Sequence, residues 1–431
     1  MKSAENFKYF SSPEERFSYL ALLYDRIDQN IDTFHLLAGE LDWRSLFSLG
    51  LGNSLFGFYY RVFKRMNSGI IPDDFFKGCR DHFFFSDTKT GIYFHEIKKF
   101  DGIMRSIKRE YVLSRGYAYY YLLYDRLPVR EFNDIDVYVK KEDVPGIIKG
   151  LIDAGYTDPG KGRIKYFLSH HIHIRVENPQ NKIVFEIHWA VDHKYNLARI
   201  SVEDILQTRR HVLLNGEEIP VPSIDMDFIL SSVHALKHSP LLKYLESRDA
   251  CFDILFKSNY AVKYLDLCRF LSIYSDKIDW NSIYYYSKKY YCDDYIKVVV
   301  RFLNKVFGVE MPCNINENLR EYSPGRMERY TANYLISRTL SNKGLKKKGF
   351  LSGFMFRFTS LCNRSLIFNP VRMMDLYRYF MPPSDYIAFL KAEGVSIFRR
   401  NRIYLFLRGG LMLVKNLFDA VRGHHDLLLE D

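Results

Sequence analysis

The segment Arg130-Glu-Phe-Asn-Asp-Ile-Asp-Val-Tyr-Val139 carries two carboxylates, Asp134 and Asp136, alternating with Ile135, Val137 and Val139. On a β-strand, residues two apart share a face, with Cα atoms about 6.5 Å apart. The alternation therefore sets both acids on one side and three aliphatic anchors on the other. Two carboxylates at that spacing can converge on one cation. Mg²⁺ suits them, because it binds through one or two carboxylates and completes its shell with phosphate oxygens and water. A solvated acidic strand face is the ordinary meaning of Asp-x-Asp, so the surrounding chain has to decide. Downstream, Ile183-Val-Phe-Glu-Ile-His-Trp189 puts Glu186 and His188 on the polar side of a second alternating run. Upstream, Gly116 follows Tyr111-Val-Leu-Ser-Arg115 at a helix or strand-to-helix junction. A glycine there lets backbone N–H groups approach a phosphate closely.

The elements that must position these residues follow from periodicity and turn chemistry. Ser12-Pro13-Glu14-Glu15 reads as an N-cap with proline at the first helical position. Helix-like apolar spacing (Leu20, Leu23, Ile27; Leu46, Leu49, Leu55) runs through residues 13 to 110, with a connection at Ser68–Pro72 and helix again from Phe75 to about Arg115. Short β-type runs fill about 112 to 225, interrupted by a helix from Lys141-Glu-Asp-Val-Pro145 to Ala154-Gly155-Tyr156. His171-Ile-His-Ile-Arg-Val176 and the Glu186 run make a β-hairpin around Asn178-Pro-Gln-Asn181. A four-residue loop pairs His173 with Glu186 and His171 with His188. The polar face then holds His171, His173, Arg175, Glu186 and His188, and Phe185, Ile187 and Trp189 face helices.

From Ile224 the chain is helical again. Asp225–His238 carries His234 and His238 on one face, and helices follow at 244–257, 260–273, 281–307, 325–340, 371–392 and 403–420, with a basic loop at Lys343–Gly349. The expected fold is α+β. A small mixed β-sheet core, residues 111–223, lies between an N-terminal helical region, 1–110, and a C-terminal one, 224–431.

Composition narrows the class further. Hydrophobic content of 47% and charged content of 26% describe a soluble globular chain, and the net charge of +11 favours anionic partners without choosing among them. Six scattered cysteines with no C-x-x-C pair exclude a disulfide framework or zinc module and point to a reducing cytoplasm. The N-terminus has no signal-peptide core, and the apolar stretch Ile403–Phe418 is broken by Arg408 and Lys415, so no integral membrane segment is expected. A basic peripheral-membrane or RNA-binding helical protein, with the Asp pair incidental, is another reading of the charge, but the absence of an RNA-binding signature weighs against it and nucleic acid stays an undecided partner. A zinc site from His171, His173, His188 and Glu186 is a rival use of the hairpin's polar face.

Glycine, then Asp-x-Asp, then a distal acid on a neighbouring strand is the arrangement of polymerase-beta-type nucleotidyltransferases. The chain resembles more closely the bacterial family called uncharacterised nucleotidyltransferases. The likeness rests on Arg115-Gly116, Tyr124, Arg130, Asp134-Ile-Asp-Val-Tyr-Val139, Gly155-Tyr156, Glu186-Ile-His-Trp189 and His234-Ala-Leu-Lys-His238, with an Asp-containing helix around Arg248-Asp249. Weaker similarity covers Leu41-Asp-Trp43 and Phe380–Tyr386. Two positions depart from the pattern: Arg115 replaces the usual lysine, and Tyr117 follows Gly116 where the wider superfamily has a small residue.

The resemblance implies a Mg²⁺-dependent nucleotidyltransferase that moves a nucleoside monophosphate from a nucleoside triphosphate, ATP among them, to an acceptor hydroxyl. Asp134, Asp136 and Glu186 are the implied catalytic and metal-binding residues, holding two Mg²⁺ ions about 3.5–4 Å apart. Glu186 shares the second ion or acts as general base. Arg115, Gly116, Arg130, His188 and Lys237 are the implied nucleotide-binding residues. The acceptor (sugar, peptide, protein or RNA end) is unmarked. The alternative is a catalytically idle relative that binds or regulates. Repulsion among the carboxylates also predicts that removing Asp136 leaves the metal-free fold unchanged or slightly more stable.

Overall fold

The computed structural model describes residues 10–309 except 68, 158–163, 193–197, 199, 238–254, 257–260 and 291. The chain divides into two compact units, Met1–Met327 and Glu328–Asp431, and all that is described lies in the first. The helices expected at 325–340, 371–392 and 403–420, most of 244–257, His238, Arg248-Asp249, Phe380–Tyr386 and the basic loop lie outside the described residues. Among the described residues, no helix is long and apolar enough to cross a membrane.

Five helices come first: α1 (Pro13–Leu22), α2 (Ile31–Ala38), α3 (Trp43–Asn53), α4 (Phe56–Met66) and α5 (Asp73–Ser106). Ser12 caps α1 as expected, its Oγ accepting from the Glu15 N–H at 3.2 Å. Phe17 fills the space between Phe34 and Phe63, with ring centroids 5.1 and 5.5 Å away. Distant chain closes this bundle: Tyr19 Oη donates to the Val306 carbonyl at 2.8 Å, and Asn53 Nδ2 to that of Phe256 at 3.2 Å. The 34 residues of α5 span about 50 Å. Its second half presents Tyr93, Ile97, Phe100 and Met104, spaced to share one face, to the sheet core. It stops at Ser106, short of the expected Arg115. Lys108 turns the chain with φ 54°, and Val112–Ser114 leaves to pair in the sheet.

The sheet holds β1 (Val112–Ser114), β2 (Ile135–Tyr138), β3 (His173–Glu177) and β4 (Val184–His188) in the order β1-β2-β4-β3. The β2/β4 pair is parallel and the other two are antiparallel. This is the mixed sheet that the alternation predicts, and the fold is α+β. Ile135, Val137, Phe185 and Ile187 face a core closed by α5 and by Val144, Ile147, Ile148 and Leu151 of α7 (Val144–Asp153), which follows α6 (Gly116–Leu122). Each such buried aliphatic contributes about 1.5–3 kcal/mol. After α8 (Ile164–His170) and α9 (Val202–Gln207) comes a hairpin of β5 (Arg210–Leu214) and β6 (Glu217–Val221). Its turn, Asn215-Gly216, has φ of 51° and 85°, both positive as a type I′ turn requires. Helices α10 (Ile224–Lys237), α11 (Ala261–Tyr274), α12 (Trp280–Lys289) and α13 (Asp293–Phe307) complete the described part. The run expected as one helix over 281–307 is thus two, the first ending at Lys289 and the second starting at Asp293.

The β3/β4 register differs from expectation by two residues. His173 lies opposite His188 and Arg175 opposite Glu186, so neither His173–Glu186 nor His171–His188 is a direct pair. The loop is longer because its asparagines build it. Asn178 N–H donates to the Ile183 carbonyl at 2.9 Å, and the Nδ2 groups of Asn178 and Asn181 both donate to Glu96 Oε1 of α5, at 3.0 and 2.9 Å. A slip of two leaves every side chain on its face.

Gly57 tests how tightly the helices seat the sheet. A Cβ there would lie 2.7 Å from Val129 Cα and 3.0 Å from the Pro128 carbonyl oxygen, both backbone atoms of the segment leading to Arg130. We expect Gly57→Ala to destabilise the protein by about 1–3 kcal/mol, read as a lower denaturant midpoint at unchanged slope.

Candidate active site

Strand β2 can carry carboxylates because its other face is anchored by Ile135 and Val137, and β4 repeats the arrangement with Phe185 and Ile187. Their parallel pairing makes Asp136 and Glu186 Cα partners, about 4.8 Å apart on one face. Asp134 precedes the strand by one residue. The sheet thus brings together the three acids that the sequence analysis picks out.

Asp136 is the centre of the ionic contacts. Arg115 Nη2 lies 3.0 Å and Nε 3.3 Å from its Oδ2. His188 Nε2 lies 2.9 Å from Oδ1; an ionised carboxylate only accepts, so the imidazole donates. The same Nε2 is 3.5 Å from Glu186 Oε2, while Arg175 Nε sits 3.3 Å from Glu186 Oε1. Burial acts to raise the Asp136 pKa, but the Arg115 charge and the His188 hydrogen bond outweigh it and hold the carboxyl well below its usual range. The His188 bond likewise lowers Glu186. His188 itself is raised: burial disfavours its charge, and the two carboxylates more than compensate. Asp134 is different. Burial, then the charges of Asp136 and Glu186, push it up to about 6.

Arg115 reaches Asp136 through an unusual backbone, with φ 53° and ψ −147° at the start of α6. Such a conformation costs a non-glycine residue on the order of 1–3 kcal/mol. Gly116 follows with φ +39°, beside the Asp134 carbonyl. Tyr117 does not crowd this turn. It is 3% exposed and packs into the core against Phe94 and Phe132, each with ring centroids 6.1 Å away.

Arg130 is occupied elsewhere. Its Nε and Nη2 both lie 2.9 Å from Oδ2 of Asp266 on α11, and Tyr124 Oη donates to Oδ1 of the same carboxylate at 2.7 Å. From the other side Lys89 of α5 donates to the Phe132 carbonyl at 3.3 Å and to Asn133 Oδ1 at 3.2 Å. The segment entering β2 is clamped by both helices. Lys237 ends α10, and its side chain is not among those described.

Sequence reasoning missed Asp266 and Lys263. Lys263, one turn before Asp266 on α11, lies within reach of the Arg115 and Arg130 charges; burial, then those two cations, bring its ammonium down to about 8. The signal available was weak, a lysine and an aspartate three apart in a helix. Their meaning depends on a fold that joins residues 136 positions apart. Two buried atoms, Ser114 Oγ and His188 Nδ1, have no hydrogen-bond partner, and Ser114 is the Cα partner of Asp136 on β1. Buried polar atoms rarely go unpaired, and a site that receives a ligand is one setting for them.

A sequence model of the family described as uncharacterised nucleotidyltransferase matches residues 39–308. The chain belongs to this family. The matched span contains every site residue named above and the helices on both sides of the sheet. Membership gives the general reaction, nucleotidyl transfer. None of the curated proteins compared with the chain matches it.

Two stability measurements separate the acids. The Asp134 pKa is about 6 in the fold against an ordinary 3.8, so its ionised form is disfavoured by up to about 3 kcal/mol. The folded state holds the proton more tightly, so wild type gains stability as pH falls from above 6 towards 4. We expect Asp134→Asn to melt higher than metal-free wild type above pH 6, and the advantage to vanish below about pH 4. Asp136→Ala should do the opposite of what carboxylate repulsion alone predicts. It strands Arg115 and His188 in the interior, and a loss of about 3–5 kcal/mol is expected in chemical denaturation at pH 7.

Proposed function

We propose that the chain transfers a nucleoside monophosphate from a nucleoside triphosphate to an acceptor hydroxyl, with Mg²⁺ held by Asp134, Asp136 and Glu186. One observation carries the reading: Asp136 and Glu186 are Cα partners on one sheet face with Asp134 one residue before the same strand, close enough that, after burial, the charges of the other two acids raise its pKa. All three offer oxygen donors, the chemistry that Mg²⁺ takes. Bound there, Mg²⁺ supplies charge neutralisation on the triphosphate and eases ionisation of the acceptor hydroxyl.

In the reaction the acceptor hydroxyl gives its proton to solvent and its oxygen bonds to the α-phosphorus. The bond from that phosphorus to the bridging oxygen breaks, and pyrophosphate leaves. Glu186, held low by His188, is suited to binding a cation more than to taking a proton. Arg115 and Lys263 provide positive charge toward the phosphates; Arg130, fixed by Asp266, acts through its field; Gly116 keeps the turn open, and Lys237 is assigned to the nucleotide side. We place the catalytic part in residues 111–223, with the acceptor (sugar, peptide, protein or RNA end) bound by the flanking helical regions.

A second reading, the idle relative, draws on the engagement of both Asp136 oxygens by Arg115 and His188. Thermal melting with millimolar Mg²⁺ and each of the four nucleoside triphosphates separates the two. We expect wild type to be stabilised by at least one nucleotide, by about 2.7 kcal/mol at a hundredfold excess over Kd. Asp134→Asn should lose both this response and transfer, although its metal-free fold is the stronger. No response to any nucleotide removes most of the support for transfer and favours the idle relative.

A further inference from the structure

We propose that His173, Glu186 and His188 form a second cation site, one that takes a first-row transition metal of the zinc class. The β3/β4 register makes the two histidines Cα partners, with ring centroids 4.8 Å apart, and Glu186 lies on the same face two residues before His188. One ligating atom from each of the three lies within 4.8 Å of the others. His188 Nε2 is 3.5 Å and His173 Nε2 3.9 Å from Glu186 Oε2. A tetrahedral zinc ion with bonds near 2.1 Å needs its ligand atoms about 3.4 Å apart. The Glu186–His188 pair already has that spacing. His173 must close by about 1 Å, and its side chain is 33% exposed.

The remaining contacts fit the same assignment. Arg175 engages Glu186 Oε1 at 3.3 Å and leaves Oε2 to the metal. Zinc takes the place of the Nε2 proton that His188 now gives to Asp136 Oδ1 at 2.9 Å, and that oxygen becomes a fourth donor by drawing back about 0.5 Å. Two imidazoles select against Mg²⁺, which prefers oxygen, and the order of divalent affinities ranks zinc above manganese. His171, the remaining histidine of the hairpin's expected polar face, is not among the three; its ring packs against Phe167, with centroids 5.1 Å apart. No partner fixes the outer nitrogen of His188, which sets the affinity below that of closed structural sites. The site shares Glu186 and Asp136 with the transfer reading but does not need that reading to hold.

The test uses the full chain. Equilibrium dialysis against Zn²⁺ in excess Mg²⁺ should retain one zinc per chain, and Co²⁺ titration should give visible bands of a four-coordinate ion. His173→Ala should weaken zinc binding at least about tenfold while the Mg²⁺–nucleotide response and the circular dichroism stay as in wild type. Arg175→Ala, on the same strand, should bind zinc as well as wild type or better, since it frees Glu186. No retained zinc and no cobalt bands in wild type overturn the proposal, whatever the nucleotides do. So does His173→Ala with wild-type affinity, and so does an equal loss in Arg175→Ala, which makes the effect one of hairpin integrity.

Discussion

A carboxylate in the middle of a four-stranded sheet is unfavourable unless something answers its charge, and at Asp136 two groups do so from different elements. Arg115 comes from the β1–α6 junction and His188 from the parallel neighbour β4. Each demands something of the backbone. Arg115 must adopt a conformation ordinarily left to glycine, and His188 must stand in register with Tyr138 so that its ring lies over the neighbouring acid. The parallel β2/β4 pairing, the tight turn into α6 and the low pKa of Asp136 are therefore one arrangement. Asp134, just outside it, is the acid left without a full answer.

The division of labour between these two aspartates was not visible in their spacing. Period-two alternation marked both acids, the faces of the hairpin and the aliphatic anchors, and these survived a two-residue slip because faces repeat every two residues. The register did not follow from a loop-length argument, since it is set by Asn178 and Asn181 reaching Glu96, more than 80 positions away. Repulsion among acids was the natural reading of Asp-x-Asp, but it omitted Arg115 and His188 as answering charges, and so mistook which aspartate is strained. The Asn215-Gly216 turn, by contrast, is legible in the sequence, since Asn-Gly is the dipeptide that takes two positive φ angles most readily. Arg130 was marked as a phosphate ligand, whereas the fold gives it first to Asp266.

The helices after the sheet are bound into its core by buried polar contacts as well as by packing. Tyr119 Oη donates to Asp227 Oδ1 at 2.9 Å, and Tyr124 and Arg130 both hold Asp266. Buried networks of this kind tolerate few substitutions, because removing one member leaves the others unsatisfied. They also carry Lys263 to within reach of the Arg115, Arg130 and Asp136 charges.

The bonds from Tyr19 to Val306 and from Asn53 to Phe256 tie the first helices to chain more than 200 positions later. A ribosome adding about 5–20 residues per second needs roughly 15–60 seconds to travel from Phe17 to Val306. For that interval the rings of Phe17, Phe34 and Phe63 have no finished bundle to enter. These helices are made well before the chain that closes their bundle, and their exposure to chaperones and proteases in between is set by the rate of translation.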